Sequence, residues 1–280
     1  MTDSSVNEVL PKLGFSYHWT DDLTTSFTAQ RGFRSGGVGV NIFRAEVFEF
    51  DSEFTNNYEF SLRSTWLDGA LTANANIFYT DWEEQQVIVQ LSEASLDNQT
   101  INAGSSSIKG FELEVNYLAS EFLTVYGAIG QAKTNFEEFD IAIPNVDGTA
   151  TEFDLSGRSF ADSPEWTANI GATYRQNNGV FVNVNANYAD GSNAVINPFV
   201  NGLVQGDTGF DIQNDSRVVA NAQVGYEWNE SFGIYFIASN LFDEEYVSSA
   251  NANGFSDGVV IARHTLGDPR QFSVSLRGRF

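Results

Sequence analysis

The stretch Tyr58-Glu59-Phe60-Ser61-Leu62-Arg63-Ser64-Thr65-Trp66 decides the fold. Strand side chains point alternately to two faces, so Tyr58, Phe60, Leu62 and Trp66 share one face while Glu59, Ser61, Arg63 and Thr65 share the other. The pattern recurs along the chain. Phe111, Leu113, Val115 and Tyr117 stand against Gly110, Glu112, Glu114 and Asn116, and Val180, Val182, Val184, Ala186 and Tyr188 stand against Asn183, Asn185 and Asn187. Stretches that run into tight turns end on an aromatic of the apolar face. One greasy and one wet face, repeated with terminal aromatics, predict the wall of a membrane-spanning β-barrel around a water-filled lumen.

Composition agrees by exclusion. The 280 residues contain no apolar run of the length a transmembrane helix needs, so any membrane crossing is made by strands. A mean hydropathy of -0.22 does not argue against this, because lipid-facing and water-facing residues average out along each strand. There is no cysteine, hence no disulfide framework or thiolate metal site. A net charge of -23, from 37 acidic against 14 basic residues, argues against a nucleic-acid partner. The acids gather between strand pairs, as in Glu46, Glu49, Asp51 and Glu53 or Asp243, Glu244 and Glu245, which reads as a solvated rim or a rim attracting cations. Nothing after Met1 has the charged and apolar regions of a signal peptide.

Alternation places strands near 12–20, 23–34, 55–67, 70–82, 105–119, 122–135, 163–176, 179–191, 216–228, 231–242 and 269–280. Tight connections such as Leu67-Asp68-Gly69 and Gln176-Asn177-Asn178-Gly179 alternate with long ones near 35–54, 83–104, 136–162, 192–215 and 243–268. Barrels of this class have short periplasmic turns and long extracellular loops. Trp19, Trp66, Tyr117, Tyr174, Trp228 and the terminal Phe280 then form the periplasmic membrane-interface belt, with Tyr79 and Tyr188 at the opposite interface. An odd strand count, with the last strand ending on the periplasmic side, places the first residues in an extracellular loop and predicts an open sheet with two unpaired edges.

At this point the chain resembles the C-terminal half of a TonB-dependent outer-membrane receptor barrel, siderophore-receptor-like and closest to the pesticin and yersiniabactin receptor type. The resemblance rests on Arg31-Gly32-Phe33-Arg34-Ser35-Gly36-Gly37, Phe78-Tyr79-Thr80-Asp81-Trp82, Ile108-Lys109-Gly110-Phe111-Glu112-Leu113-Glu114 and Pro164-Glu165-Trp166. It continues in Asn240-Leu241-Phe242-Asp243-Glu244-Glu245-Tyr246 and in Gly267-Asp268-Pro269-Arg270 through Arg279-Phe280. It implies a bacterial outer-membrane, 22-stranded, plugged transporter. The plug domain, the TonB box and the signal peptide have no counterpart in these residues. The implied partners are outer-membrane lipid, the plug and TonB complex of a full-length protein, the barrel-assembly machinery (with Phe280 as its recognition signal) and a small ligand such as a ferric siderophore. Uptake of a glycan or cobalamin, a self-contained outer-membrane pore and a soluble carbohydrate-binding β-protein are the competing readings.

Transport of this kind needs no catalytic residue, no cofactor and no bound metal. The two histidines, His18 and His264, share no metal-ligand spacing, and no glycine-rich loop precedes a helix. Candidate ligand contacts are Arg31, Arg34, Trp82, Arg263 and His264 near the extracellular side, since a guanidinium offers a planar fork to carboxylate or catecholate oxygens. Glu59, Arg63, Glu112, Glu114, Glu227, Arg277 and Arg279 are expected to face the lumen.

Overall fold

The computed structural model describes residues 7–91, 96–144, 149–194, 213–229, 232–256 and 259–278. In chain order the strands are β1 (Lys12–Thr20), β2 (Leu23–Arg34), β3 (Gly37–Asn41), β4 (Glu46–Phe50), β5 (Glu53–Trp66), β6 (Leu71–Gln90), β7 (Asn98–Ser120) and β8 (Leu123–Glu138). They continue as β9 (Asp140–Pro144), β10 (Ala150–Asp154), β11 (Trp166–Arg175), β12 (Val180–Ala189), β13 (Ser192–Asn193) and β14 (Gln213–Asn214). The last are β15 (Arg217–Asn229), β16 (Phe232–Ser239), β17 (Val247–Ser256), β18 (Val259–Leu266) and β19 (Gln271–Gly278).

Eleven of them form one sheet in the order β1-β2-β5-β6-β7-β8-β11-β12-β15-β16-β19. Every neighbour is antiparallel, and β1 and β19 are its two open edges among the described residues. The register keeps the two faces separate across strands. Phe27, Phe60, Ile77 and Phe111 lie in one row on the outer face, and the adjacent row of Thr28, Glu59, Phe78 and Gly110 faces the other way. A one-residue slip anywhere would turn lipid-facing residues into the lumen, which is why the pattern specifies the pairing so firmly.

The sheet is a wall one layer thick. A soluble folded monomer of this mass exposes about 11,900 Å²; this chain exposes 17343 Å². Much of the excess is apolar: Phe15, Ile77, Ile170, Val224, Phe236 and Leu276 of the outer face are all exposed. A continuous band of this kind is stable in hydrocarbon, not in water.

Tight turns close one end. At Leu67, Asp68 and Gly69 the backbone takes φ values of 56, 54 and 91°, and Gly69 donates to the carbonyl of Trp66 (3.2 Å). Gly179, at φ 98°, closes the next such turn but one by donating to Gln176 (3.0 Å). The other end departs from the expected plain loops. β6 and β7 continue their ladder through Gln90 and Asn98, and β3–β4, β9–β10 and β17–β18 form separate hairpins. In β6 and β7 the alternation continues beyond the membrane band, with Val87, Val89, Ile101 and Ala103 covered by neighbouring loops instead of lipid. The hairpin strands run to only five residues at β3 and β4, about half the length of a spanning strand, so alternation over about ten residues does not mark them.

Candidate functional site

The long-loop end carries the built structure. Val89, Leu91 and Ala103 from the β6–β7 extension meet Phe136, Phe139, Ile141, Phe153 and Leu155 from the end of β8 and the β9–β10 hairpin, all buried. Phe136 sits between Phe139 and Phe160, with ring centroids 4.8 and 4.7 Å away. Two neighbouring long loops, β6–β7 and β8–β11, thus share one small core of their own.

A polar clamp ties the β3–β4 hairpin to this core. Asp97 is fully buried and accepts hydrogen bonds from Asn41 Nδ2 (2.7 Å), Arg44 Nε (2.8 Å) and Arg44 Nη2 (2.9 Å). The Arg44 guanidinium also reaches the carbonyl of Leu91 (3.3 Å). Hydrogen bonding to Asp97 raises the Arg44 pKa above its ordinary value. At the hairpin's base, Gln86 Nε2 donates to the carbonyls of Ser35 and Asp51, and Asn102 exchanges hydrogen bonds with Asp51. Both ends of the hairpin are therefore fixed to β6–β7.

The roots of the last long loop are joined by one side chain. Asn240, 3% exposed and at φ 48°, donates from Nδ2 to the carbonyls of Glu244 (2.9 Å) and Asp268 (3.0 Å) and accepts from Glu244 N–H (2.9 Å). Its own N–H donates to Asn221 Oδ1 (3.0 Å) on β15, while Arg270 N–H donates to Asp243 Oδ1 (2.8 Å). Nothing in the sequence alone singles out Asn240 for this role; burial and a positive φ, a conformation asparagine tolerates, reveal it in the structure.

The expected ligand residues separate. Arg31 lies on the outer face, in register with Asn56, stacked over the Phe54 ring (4.5 Å) and 4.0 Å from Glu83. Arg34, on the inner face, is held by buried Glu53 (2.8 Å), which also accepts from Gln86 N–H (2.6 Å). Trp82 stands edge-on to Phe160 (6.2 Å), and its buried indole N–H has no partner among the described residues. His264 is exposed on β18 opposite Ala250; Arg263 is opposite Asn251, and its side chain lies outside the described residues. Arg31 and Arg34, on opposite faces of β2, cannot share one pocket. Among the described residues no group of three acidic or histidine side chains is placed to hold a metal ion.

The wet face is a polar surface. Asn183 Nδ2 donates to Tyr126 Oη (3.1 Å) and Thr173 Oγ1 (2.8 Å), Asn185 to Asn183 (3.2 Å), Asn187 to Asn185 (3.2 Å), and Asn221 to Asn185 (2.9 Å). Beside this ladder Glu112, Glu114, Tyr126, Thr167 and Asn169 line an open depression of about 490 Å³. Near the tight-turn end Glu227 pairs with Arg175 and accepts from Tyr235 Oη (2.5 Å). Glu59, Arg63 and Arg277 occupy inner positions of the ladder, as expected; Arg279 and Phe280 lie outside the described residues. The other expected belt aromatics stand at strand ends beside tight turns. Trp19, Trp66, Tyr117 and Trp228 are exposed there, and Tyr174 packs on Phe122 (6.4 Å).

Comparisons with known proteins agree with this architecture. The family model described as TonB dependent receptor-like, beta-barrel, matches residues 2–241. The chain is 25% identical to the ferric-pyoverdine receptor PbuA of a Pseudomonas species, over 99% of this chain and 30% of that protein. It is 24% identical to the catecholate siderophore receptor Fiu of Escherichia coli, over 83% of this chain and 26% of that protein. It therefore spans under a third of the length of these relatives. The crystal structure of the ferric yersiniabactin uptake receptor FyuA from Yersinia pestis superposes with a TM-score of 0.74 at 19% identity, over 98% of this chain and 37% of that one, a likeness of fold.

Proposed function

Because the chain belongs to the TonB-dependent receptor family, whose members are non-enzymatic transporters of the outer membrane, we propose that it forms the C-terminal part of a receptor barrel that imports a ferric siderophore. The observation that carries this reading is the wall itself: a lipid-compatible outer face, a hydrogen-bonded wet face and a preassembled set of loops at one end. A diffusion pore needs no such loop core. Siderophore cargo is supported by PbuA and Fiu, whose names describe siderophore receptors.

In this reading the wet face, with the acidic depression at Glu112 and Glu114, meets a plug domain in the complete receptor, and the TonB complex drives release. Trp66, Tyr117 and Trp228 anchor the periplasmic boundary of the hydrocarbon, since an amphipathic ring is most stable there. Phe280 serves the assembly machinery. Ligand contact falls to the rim, where His264 is exposed on β18, next to Arg263 in the sequence, and Arg34 and Trp82 stand on the inner face of β2 and β6. Arg31, turned outward, takes no part.

The test is a deletion strain grown under iron limitation, complemented with the intact gene and supplied with radiolabelled ferric siderophores. Restored uptake of one siderophore is expected. Unchanged iron uptake with a defect in glycan or cobalamin uptake would overturn the siderophore assignment while leaving the transporter in place.

A further inference from the structure

The chain has only three lysines, Lys12, Lys109 and Lys133, and two of them face each other directly across β7 and β8. Both are exposed, and both lie on the outer face, in the row that contains Tyr58 and Tyr79. From Tyr117 at the opposite boundary to Lys109 is eight residues, about 27 Å along the strand and near 20 Å along the membrane normal at usual barrel tilt. Among the described residues no charged side chain lies deeper on the lipid-facing side. Like charges directly opposite one another destabilise a strand pair, so this placement calls for a counter-charge. The protein does not supply one at contact distance: neither ammonium is in an ion pair among the described residues. The nearby carboxylates accept hydrogen bonds from neutral groups, Glu137 from Ser107 (2.7 Å) and Glu165 from Gln131 (2.7 Å); Glu137 feels Lys109 only as a weaker through-space charge, and Asp81 stands in the next outer row, opposite Ser107.

Directly below, on the same face, the outer surface is indented. Gly127 has no side chain in a row flanked by Val115 and Ile170, and with Leu113, Ile129 and Ala168 it borders an apolar groove of about 580 Å³. Phe111 and Trp166, with rings 5.8 Å apart, stand between the groove and the lysines.

We propose that this part of the wall binds one phosphate-bearing acylated lipid of the outer leaflet, its phosphate between Lys109 and Lys133 and one acyl chain in the groove over Gly127. Charge and depth coincide: the ammonium groups lie at the headgroup boundary and the groove within hydrocarbon. The site is separate from the transport path and holds whichever cargo the receptor carries, resting only on the outer face being the lipid face.

Native mass spectrometry of the detergent-purified intact receptor, titrated with lipid A and with its dephosphorylated form, tests the assignment. Wild type is expected to retain lipid A preferentially. Lys109→Gln with Lys133→Gln should weaken lipid A binding by about thirtyfold, the effect of two lysines at a charged lipid surface, and abolish the preference over the dephosphorylated form. Lys109→Arg with Lys133→Arg, which keeps both charges, should retain it. Ala168→Phe, which fills the groove, should weaken both lipids. Equal binding of both forms by wild type, undiminished binding by the double glutamine variant, or indifference to Ala168→Phe would each overturn the proposal, and inorganic phosphate competing as well as lipid A would show that no acyl chain is held.

Discussion

Asn240→Ala should loosen the last long loop at its roots without disturbing the sheet. The substitution removes three side-chain hydrogen bonds, to Glu244 O, Asp268 O and Glu244 N–H, at a residue only 3% exposed. At about 1 kcal/mol net for each, this amounts to about 3 kcal/mol. Alanine at φ 48° adds about 1 kcal/mol of left-handed backbone strain. A local loss of about 4 kcal/mol corresponds to roughly a thousandfold fall in hydrogen-exchange protection, bounded by the stability of the whole barrel. Exchange read by mass spectrometry should rise in peptides covering 241–247 and 266–270, with the ladder of β15 and β16 unchanged. Asn240→Gly, which relieves the strain but not the lost bonds, should recover part of the protection. Unchanged protection at the loop roots in the alanine variant would refute the staple, and a loss spread evenly through the sheet would refute its local character.

Asp97→Ala should free the tip of the β3–β4 hairpin. It leaves the Arg44 guanidinium, part-buried at 23% exposure, without its carboxylate, at a cost near the lower end of about 3–5 kcal/mol. Exchange should rise across 40–47 and not at 36 and 51, where Gln86, Asn102 and Ser52 still hold the base. Trp66→Ala should lower barrel stability by about 1–2 kcal/mol in lipid, seen as a lower urea midpoint in bilayers, and Trp66→Phe should recover most of it. The pH dependence of the upper end of β8 has a defined sign. Hydrogen bonds from Ser107 and Asn135 hold the Glu137 carboxyl below its ordinary value of 4.5, with Lys109 adding a smaller effect. Its contribution is therefore complete above that value and is lost as pH falls through the lowered one. Order at 134–138 should decline only in that acidic window, and Ser107→Ala should shrink the decline; a loss beginning near neutrality would contradict the assignment.

The sheet was legible because a period of two over ten or more residues has one physical meaning when one face needs lipid and the other water. All eleven of its strands lie where alternation puts them, β1 and β2 to the residue. Their ends are less legible where packing takes over from lipid. Val87 and Val89 read as loop because no sequence pattern announces that Phe136 and Phe139, some fifty residues on, will cover them. Arg31 and Arg34 illustrate the limit at the site. Both were chosen for their chemistry, yet a spacing of three residues puts them on opposite faces of β2, so they cannot grip one ligand together. The clamp at Asp97 was illegible for a similar reason: Asn41, Arg44 and Asp97 meet only after two hairpins are folded.

The shared core beneath the loops constrains how recognition can change. Val89 comes from the β6–β7 loop, Phe136 and Phe153 come from the β8–β11 loop, and Asp97 fastens a third, the β3–β4 hairpin, to them, so replacing any one alone would strand apolar surface or a buried charge in the others. New cargo specificity is then most easily acquired by exchanging residues 35–160 as a block, or by varying the last loop, whose roots Asn240 holds independently of its interior. Recombination breakpoints among related receptors should accordingly fall in the tight turns that flank this block, near 20–22 and 176–179, and spare those inside it, near 67–69 and 119–121.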